Sequence, residues 1–309
     1  MENKVINVFV INGFLESGKT RFIKETIQED GFYKQGNTLV IALEEGEEEY
    51  DPFLLTNYYT SVVYITDPNE FTPRKVDELI KEYKPDRIII EFNGMWDITE
   101  VDLPDYLNVG QIITLADANT FDLYLNNMRQ KSVTMFQNTD VVIINRATED
   151  MNLLSMKRNI KLANPNVEVA FEGENGPINS SFEEDLPYDV HKDIIDIKDE
   201  DFGIWFLDAM EQRDRYNKKV VKFTAQVYIP NNAPPDCFVP GRTAMTCCSD
   251  DMTVLGYPAI NESGVHFKPK SWYSFTALME YRDDIEGGPL LHIKSFNQVS
   301  PIKEPITKF

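Results

Sequence analysis

From residue 4 to about residue 171, short and continuously apolar runs alternate with longer stretches in which apolar residues recur every three or four positions. The runs are "VINVFVI" (5–11), "TLVIAL" (38–43), "SVVYI" (61–65), "RIIIEF" (87–92), "QIITLAD" (111–117), "VVII" (141–144) and "VEVAF" (167–171). Rich in Val and Ile and bounded by polar residues, they predict strands buried on both faces. Between them, "TRFIKETIQED", "PRKVDELIKEYK", "NTFDLYLNNMRQ" and "LLSMKRNIKLAN" predict amphipathic helices. Strand then helix, repeated, is the pattern of an α/β, doubly wound, mostly parallel sheet.

Past residue 172 the pattern changes. Residues 173–218 are polar and acidic, with one helix predicted around "IWFLDAMEQRDRY". From Val220 onward come strand-like segments separated by Pro and Gly: "VVKFTAQVYI", "CFVPGRTAMTC", "VLGYPAI", "SWYSFTALMEY" and "LLHIKSFNQVS". Such segments predict a small all-β domain, barrel or sandwich. The expected division is residues 1–178 for the α/β domain, 179–218 for an acidic linker with a helix, and 219–309 for the β domain.

Charge narrows the partners. Lys plus Arg number 30 against 51 Asp plus Glu, a net charge of −21, which argues against a broad nucleic-acid or anionic-membrane surface. No apolar run approaches the roughly 18 residues of a membrane span, so the chain is not expected to span a membrane itself. The first apolar run has only Lys4 before it and no small-residue cleavage pattern after it, and reads as a strand, not a secretion signal. Three cysteines cannot form a disulfide framework. The expected location is the cytoplasm.

Between the first predicted strand and the first predicted helix lies "GFLESGKT", residues 13–20, which satisfies G-x-x-x-x-G-K-[ST] in the context that gives the pattern meaning. Gly13 and Gly18 let backbone N–H groups wrap a phosphate, with Ser17 in the same wall. Lys19 reaches the β- and γ-phosphates and Thr20 can ligate Mg²⁺. Glu16 is unusual there, because a carboxylate beside phosphates repels them unless it points away or meets a cation. A phosphate loop also needs a carboxylate at the end of a neighbouring strand, and "RIIIEFNG" supplies Glu91, with the Gly94 N–H placed to sense the γ-phosphate. The fold expectation sharpens to a P-loop NTPase sheet.

These segments, with "EEGEEEYD", "LADA" and "TDVVIIN", resemble the P-loop GTPases whose third motif begins with Glu, the group of cobalamin-synthesis-type (CobW-like) proteins, other metallochaperones and nickel-enzyme accessory GTPases. The resemblance runs over about residues 4–171 and implies that Glu44, Gly46 and Asp51 form a switch region responding to Mg²⁺ or the γ-phosphate. It places Asp117 on an Asp-Ala strand end. It also implies dimerisation across the nucleotide and a client metalloprotein.

The chain departs from that family in two places. The base-reading Asn-Lys-x-Asp appears as "NRAT", Asn145–Thr148. Asn145 is expected at the base and Arg146 stacked on it, while Glu149 or Asp150 could replace the missing acceptor; GTP is favoured over ATP, with the base left open. The family's Cys-x-Cys-Cys after the third strand is missing. All three cysteines lie later, Cys237, Cys247 and Cys248, with His266 and His292 beyond them. They could hold Zn²⁺ or a similar ion, or be half-buried structural residues.

The stretch from "FVPGRTAMTCC" to "SPIKEP" resembles the soluble domain of a bacterial permease-subunit family over about residues 219–306. The leading expectation is a Mg²⁺-dependent nucleotide switch with slow hydrolysis, Lys19, Glu91 and Glu44 carrying the chemistry. Its rivals are a nucleotide-gated adaptor for a permease and a metal-delivery protein using the C-terminal cysteines.

Overall fold

The computed structural model describes residues 6–178, 186–231, 233–234, 236–245, 252–261, 263–283, 288–303 and 306–307. The chain divides into two compact units, residues 1–180 and 181–309.

In the N-terminal unit, β1 (Asn7–Asn12), β2 (Thr38–Ala42), β3 (Thr60–Tyr64), β4 (Arg87–Glu91), β5 (Asn108–Asp117), β6 (Val141–Asn145) and β7 (Glu168–Gly173) form a parallel sheet. A short β8 (Gly176–Pro177) turns back antiparallel on β7. The order is β3-β2-β4-β1-β5-β6-β7-β8. The helices are α1 (Lys19–Gln28), α2 (Asp30–Tyr33), α3 (Pro52–Asn57), α4 (Pro73–Tyr83), α5 (Phe121–Asn127), α6 (Arg129–Gln137) and α7 (Leu153–Ala163).

Both sheet faces are covered, as continuous apolar strands require. On one, Ile23 and Ile27 of α1 pack with Ile11, Val40, Ile89 and Leu115. On the other, Val76 and Leu79 of α4 pack with Val8, Val10, Ile41 and Ile90. Helix α4 begins where Thr72 accepts from the Lys75 N–H and Pro73 enters the first turn, and it ends on Lys84 at φ 46°. The expected single helix over 119–130 is instead two, broken at Met128.

In the C-terminal unit, β9 (Ile194–Asp196), α8 (Phe202–Glu211) and α9 (Arg213–Tyr216) precede β10 (Val220–Tyr228), β11 (Cys237–Met245), β12 (Met252–Gly256), β13 (Ala259–Ile260), β14 (Trp272–Glu280), β15 (Leu290–Gln298) and β16 (Ile306–Thr307). Strands β11, β13, β15, β14 and β10 close into a five-stranded barrel through the β10–β11 pairing, so of the two all-β expectations the barrel is correct. The alternation of β10, with Val221, Phe223, Ala225 and Val227 buried, fills its interior. The segment read as a linker does more than connect: β9 pairs with β10, and Phe202 and Trp205 of α8 pack their rings on Phe223.

Candidate phosphate-binding site

With β1 central, the parallel sheet delivers the ends of β1, β2, β4, β5 and β6 to one edge, where ligands bind in open α/β sheets. The loop 13–18 leaves β1 here. The Asn12 side chain accepts from the Gly13 N–H at 2.8 Å, and Gly18 at φ 93° starts α1 in a left-handed conformation. No acidic residue lies in the first turn of α1 itself, so the helix carries no anion of its own at its positive N-terminus. Gly94 is required by close approach: a Cβ there would lie 2.4 Å from the Gly13 carbonyl oxygen.

Lys19 is only 3% exposed. Its Nζ donates to the carbonyls of Gly13 and Phe14, each at 2.8 Å, and pairs with Glu44 Oε1 at 2.5 Å. Three N–H donors thus meet three acceptors, as a buried ammonium demands. Two acceptors belong to the loop itself. The third comes from the segment after β2 and has the charge sign of a phosphate.

Thr20 Oγ1 donates to Glu91 Oε1 at 2.6 Å, and the Tyr50 hydroxyl donates to Glu91 Oε2 at 2.7 Å. Glu91 is 4% exposed; burial pushes its carboxyl up, against the opposing pull of the Thr20 and Tyr50 hydrogen bonds and of Lys19. Burial raises the Tyr50 hydroxyl far above its ordinary range, and the Glu91 charge adds to this, so Tyr50 acts as a donor. Sequence reasoning missed Tyr50. It selected the neighbouring Asp51, which the structure does not bring to this group: Asp51 Oδ1 instead accepts from the Phe53 N–H at 2.8 Å, opening α3.

At the other end of the loop, Asn145 Nδ2 donates to the Ser17 carbonyl at 2.6 Å. Arg146, at φ 53°, reaches Asp117 Oδ2 at 2.5 Å and the Glu16 carbonyl at 3.2 Å. The Glu16 side chain is exposed and its backbone has φ 63°. Ser17 Oγ and Asn145 Oδ1 are buried without a hydrogen-bond partner, as polar atoms are when a ligand completes their environment. A cavity of about 430 Å³ opens beside Asn145, lined by Gly18, Arg21, Asn119, Arg146 and Glu172 among others.

The hydroxyl of Thr20 and the carboxylate of Glu91 are hard oxygen donors of the kind Mg²⁺ takes, and they already face each other at the mouth of the loop. The residues present fit that ion. The cysteine expectations fare differently. Cys237 is half-buried at the start of β11, His266 is exposed, and His292 Nε2 meets Glu280 Oε2 at 2.9 Å. Cys247 and Cys248 lie outside the described residues. Among the described residues no group of three or more His, Cys, Asp or Glu is placed to hold a metal ion.

A buried lysine at the head of the first helix, next to a threonine hydrogen-bonded to a strand-end carboxylate, places the N-terminal unit among P-loop nucleotide-binding domains. Residues 7–171, more than half the chain, match the CobW/HypB/UreG nucleotide-binding domain. The chain belongs to that family of P-loop GTPases. Residues 174–306 match the DUF1980 C-terminal domain.

No curated protein matches the chain. Among solved structures it is similar to the hydrogenase maturation factor HypB from Archaeoglobus fulgidus, at 20% identity and TM-score 0.42 over 56% of this chain and 83% of that one. HypB from Helicobacter pylori, solved with nickel, gives 18% and 0.40 over 54% and 79%. The Zn(II)-bound YjiA GTPase from E. coli gives 18% and 0.39 over 51% and 54%. Among the described residues no helix is long and apolar enough to cross a membrane.

Proposed function

We propose that the protein binds GTP with Mg²⁺ and hydrolyses it slowly, using the nucleotide state as a switch. The observation that carries this reading is the convergence of Lys19, Glu44, Thr20, Tyr50 and Glu91 at the loop. Residues from the loop and from the segment after β2 meet there through buried polar contacts.

In this reading the incoming phosphates take the place of Glu44 on Lys19, while the Gly13 and Phe14 carbonyls keep the ammonium aimed. The loop N–H groups and the N-terminus of α1 bind the phosphate oxygens. Thr20 and Glu91 would hold Mg²⁺, which neutralises charge on the β- and γ-phosphates. Released from Lys19, the Glu44 carboxylate is free to accept a hydrogen bond from the attacking water and orient it. Because Tyr50 is bonded to Glu91, any change at Glu91 is passed to residues 44–51, so the segment is a switch.

Turnover by this set alone is expected to be slow, on the order of 10⁻² s⁻¹ or below, and a partner or a second copy of the chain would raise it. Family membership supports a link to metal handling, with the barrel unit as the part that meets a client protein. The test is calorimetric titration with GTP and ATP in Mg²⁺ alongside a phosphate-release assay. GTP binding with slow release, both lost in Lys19→Ala, supports the reading; GTP binding with no release would favour a nucleotide-gated adaptor instead.

A further inference from the structure

We propose that Glu172, at the end of β7, is the carboxylate that reads guanine, in place of the aspartate missing from "NRAT". This rests on the nucleotide-binding reading above.

The cavity beside Gly18 and Asn145 has about 430 Å³, within the range of ligand pockets, and it continues from the loop where a nucleoside would follow its phosphates. The Asn145–Thr148 segment forms one wall and the end of β7 another. At the expected acceptor position, Thr148 donates its hydroxyl to the Asp150 carboxylate, which holds that carboxyl below its ordinary range. Neither Asp150 nor Glu149 lines the cavity, and both are exposed. The expectation that one of them would replace the aspartate is not supported by their positions.

Three other carboxylates border the space: Glu25, Glu172 and Glu174. Glu25 is held by Arg21 at 2.8 Å, one turn away on α1. Glu174 is exposed in the turn between β7 and β8. Glu172 is half-buried within β7, and its backbone carbonyl accepts from the Ala147 N–H at 3.0 Å. That bond fixes it beside Arg146 and Thr148, the residues flanking Ala147. Arg21, on the same cavity wall, feels the Glu172 charge.

The chemistry then selects the base. An ionised carboxylate only accepts hydrogen bonds. Guanine offers two parallel donors, N1–H and the N2 amino group, whereas adenine presents a lone pair at N1 that the carboxylate repels. A glutamate reaches further than an aspartate, as a carboxylate displaced from "NRAT" to the neighbouring strand must.

The test measures dissociation constants for GTP, ITP, XTP and ATP in Mg²⁺ with the wild-type chain and with Glu172→Gln and Glu174→Gln. Each hydrogen bond to a charged group corresponds to roughly 10- to 100-fold in affinity, so the wild type should prefer GTP over ITP by about that factor and over ATP by more. Glu172→Gln should lose GTP by a similar factor and gain XTP, because an amide can donate to the O2 of xanthine while still accepting from N1–H. Glu174→Gln should bind as wild type does. The proposal is overturned if Glu172→Gln binds GTP unchanged, if it weakens all four nucleotides equally, or if Glu174→Gln makes the switch to XTP. A wild-type chain that binds no nucleotide would overturn the nucleotide reading itself, an outcome distinct from these.

Discussion

Lys19 in the N-terminal unit and Arg242 in the barrel unit are both nearly inaccessible cations, at 3% and 2% exposure, and each meets two backbone carbonyls and one carboxylate, yet they stand in different places. Arg242 donates to the Thr224 carbonyl, to the Asp199 carbonyl and to Asp199 Oδ1, and lies 4.7 Å over the Phe202 ring. It joins β11 and β10 to the turn before α8. Lys19 stands instead in the glycine loop at the head of α1, and its carboxylate partner, Glu44 from the segment after β2, sits where a phosphate would lie in the proposed switch. Close by are the unpartnered Ser17 Oγ and Asn145 Oδ1. Burying a charge requires partners in either case; the place of Lys19 at a glycine loop and a helix N-terminus, not the number or kind of its acceptors, distinguishes a site from a structural tie.

The strongest way to break this contrast is Lys19→Ala, which should weaken nucleotide binding by about a thousandfold, roughly 4 kcal/mol, with the fold retained by circular dichroism. Arg242→Ala should do the reverse. Losing its bonds and its packing over Phe202 should destabilise the barrel by about 2–4 kcal/mol in urea unfolding, while nucleotide affinity stays at the wild-type value. Tyr50→Phe removes one hydrogen bond to a charged, buried acceptor and should cost about 1.5–3 kcal/mol of combined stability and binding, read as a lower unfolding midpoint and weaker Mg²⁺-nucleotide affinity. Thr72→Ala, at the start of α4 and remote from both cations in sequence, should cost about 1 kcal/mol of stability and leave binding unchanged.

How much of this was legible in the chain depended on how local the determining interactions are. Each of the seven strands of the parallel sheet falls within or beside an apolar run that marks it, most plainly β2 and β4, whose every residue is buried. The loop was legible for the same local reason, since strand, octet and helix are contiguous. Three features were not. The break at Met128 has no Pro or Gly to announce it. Tyr50 reaches Glu91 across 41 positions of sequence, and nothing in "EEGEEEYD" separates a tyrosine that points inward from the aspartate beside it, which caps a helix. Residues 179–218 read as polar connection because their charge outweighs the few aromatics that dock, yet Phe202, Trp205 and Tyr216 are fully buried.

In the proposed switch the lysine of the loop holds its Glu44 partner only until a nucleotide arrives. Titration calorimetry of the wild-type chain with GTP in Mg²⁺, repeated with Glu44→Gln, tests it most directly. Removing the competing charge should tighten GTP binding by about 5- to 30-fold, for a charge pair worth roughly 1–2 kcal/mol at the mouth of a solvated site, and should slow hydrolysis. Unchanged or weaker GTP binding in Glu44→Gln, with hydrolysis intact, would mean that Glu44 neither competes with the phosphates for Lys19 nor orients the water.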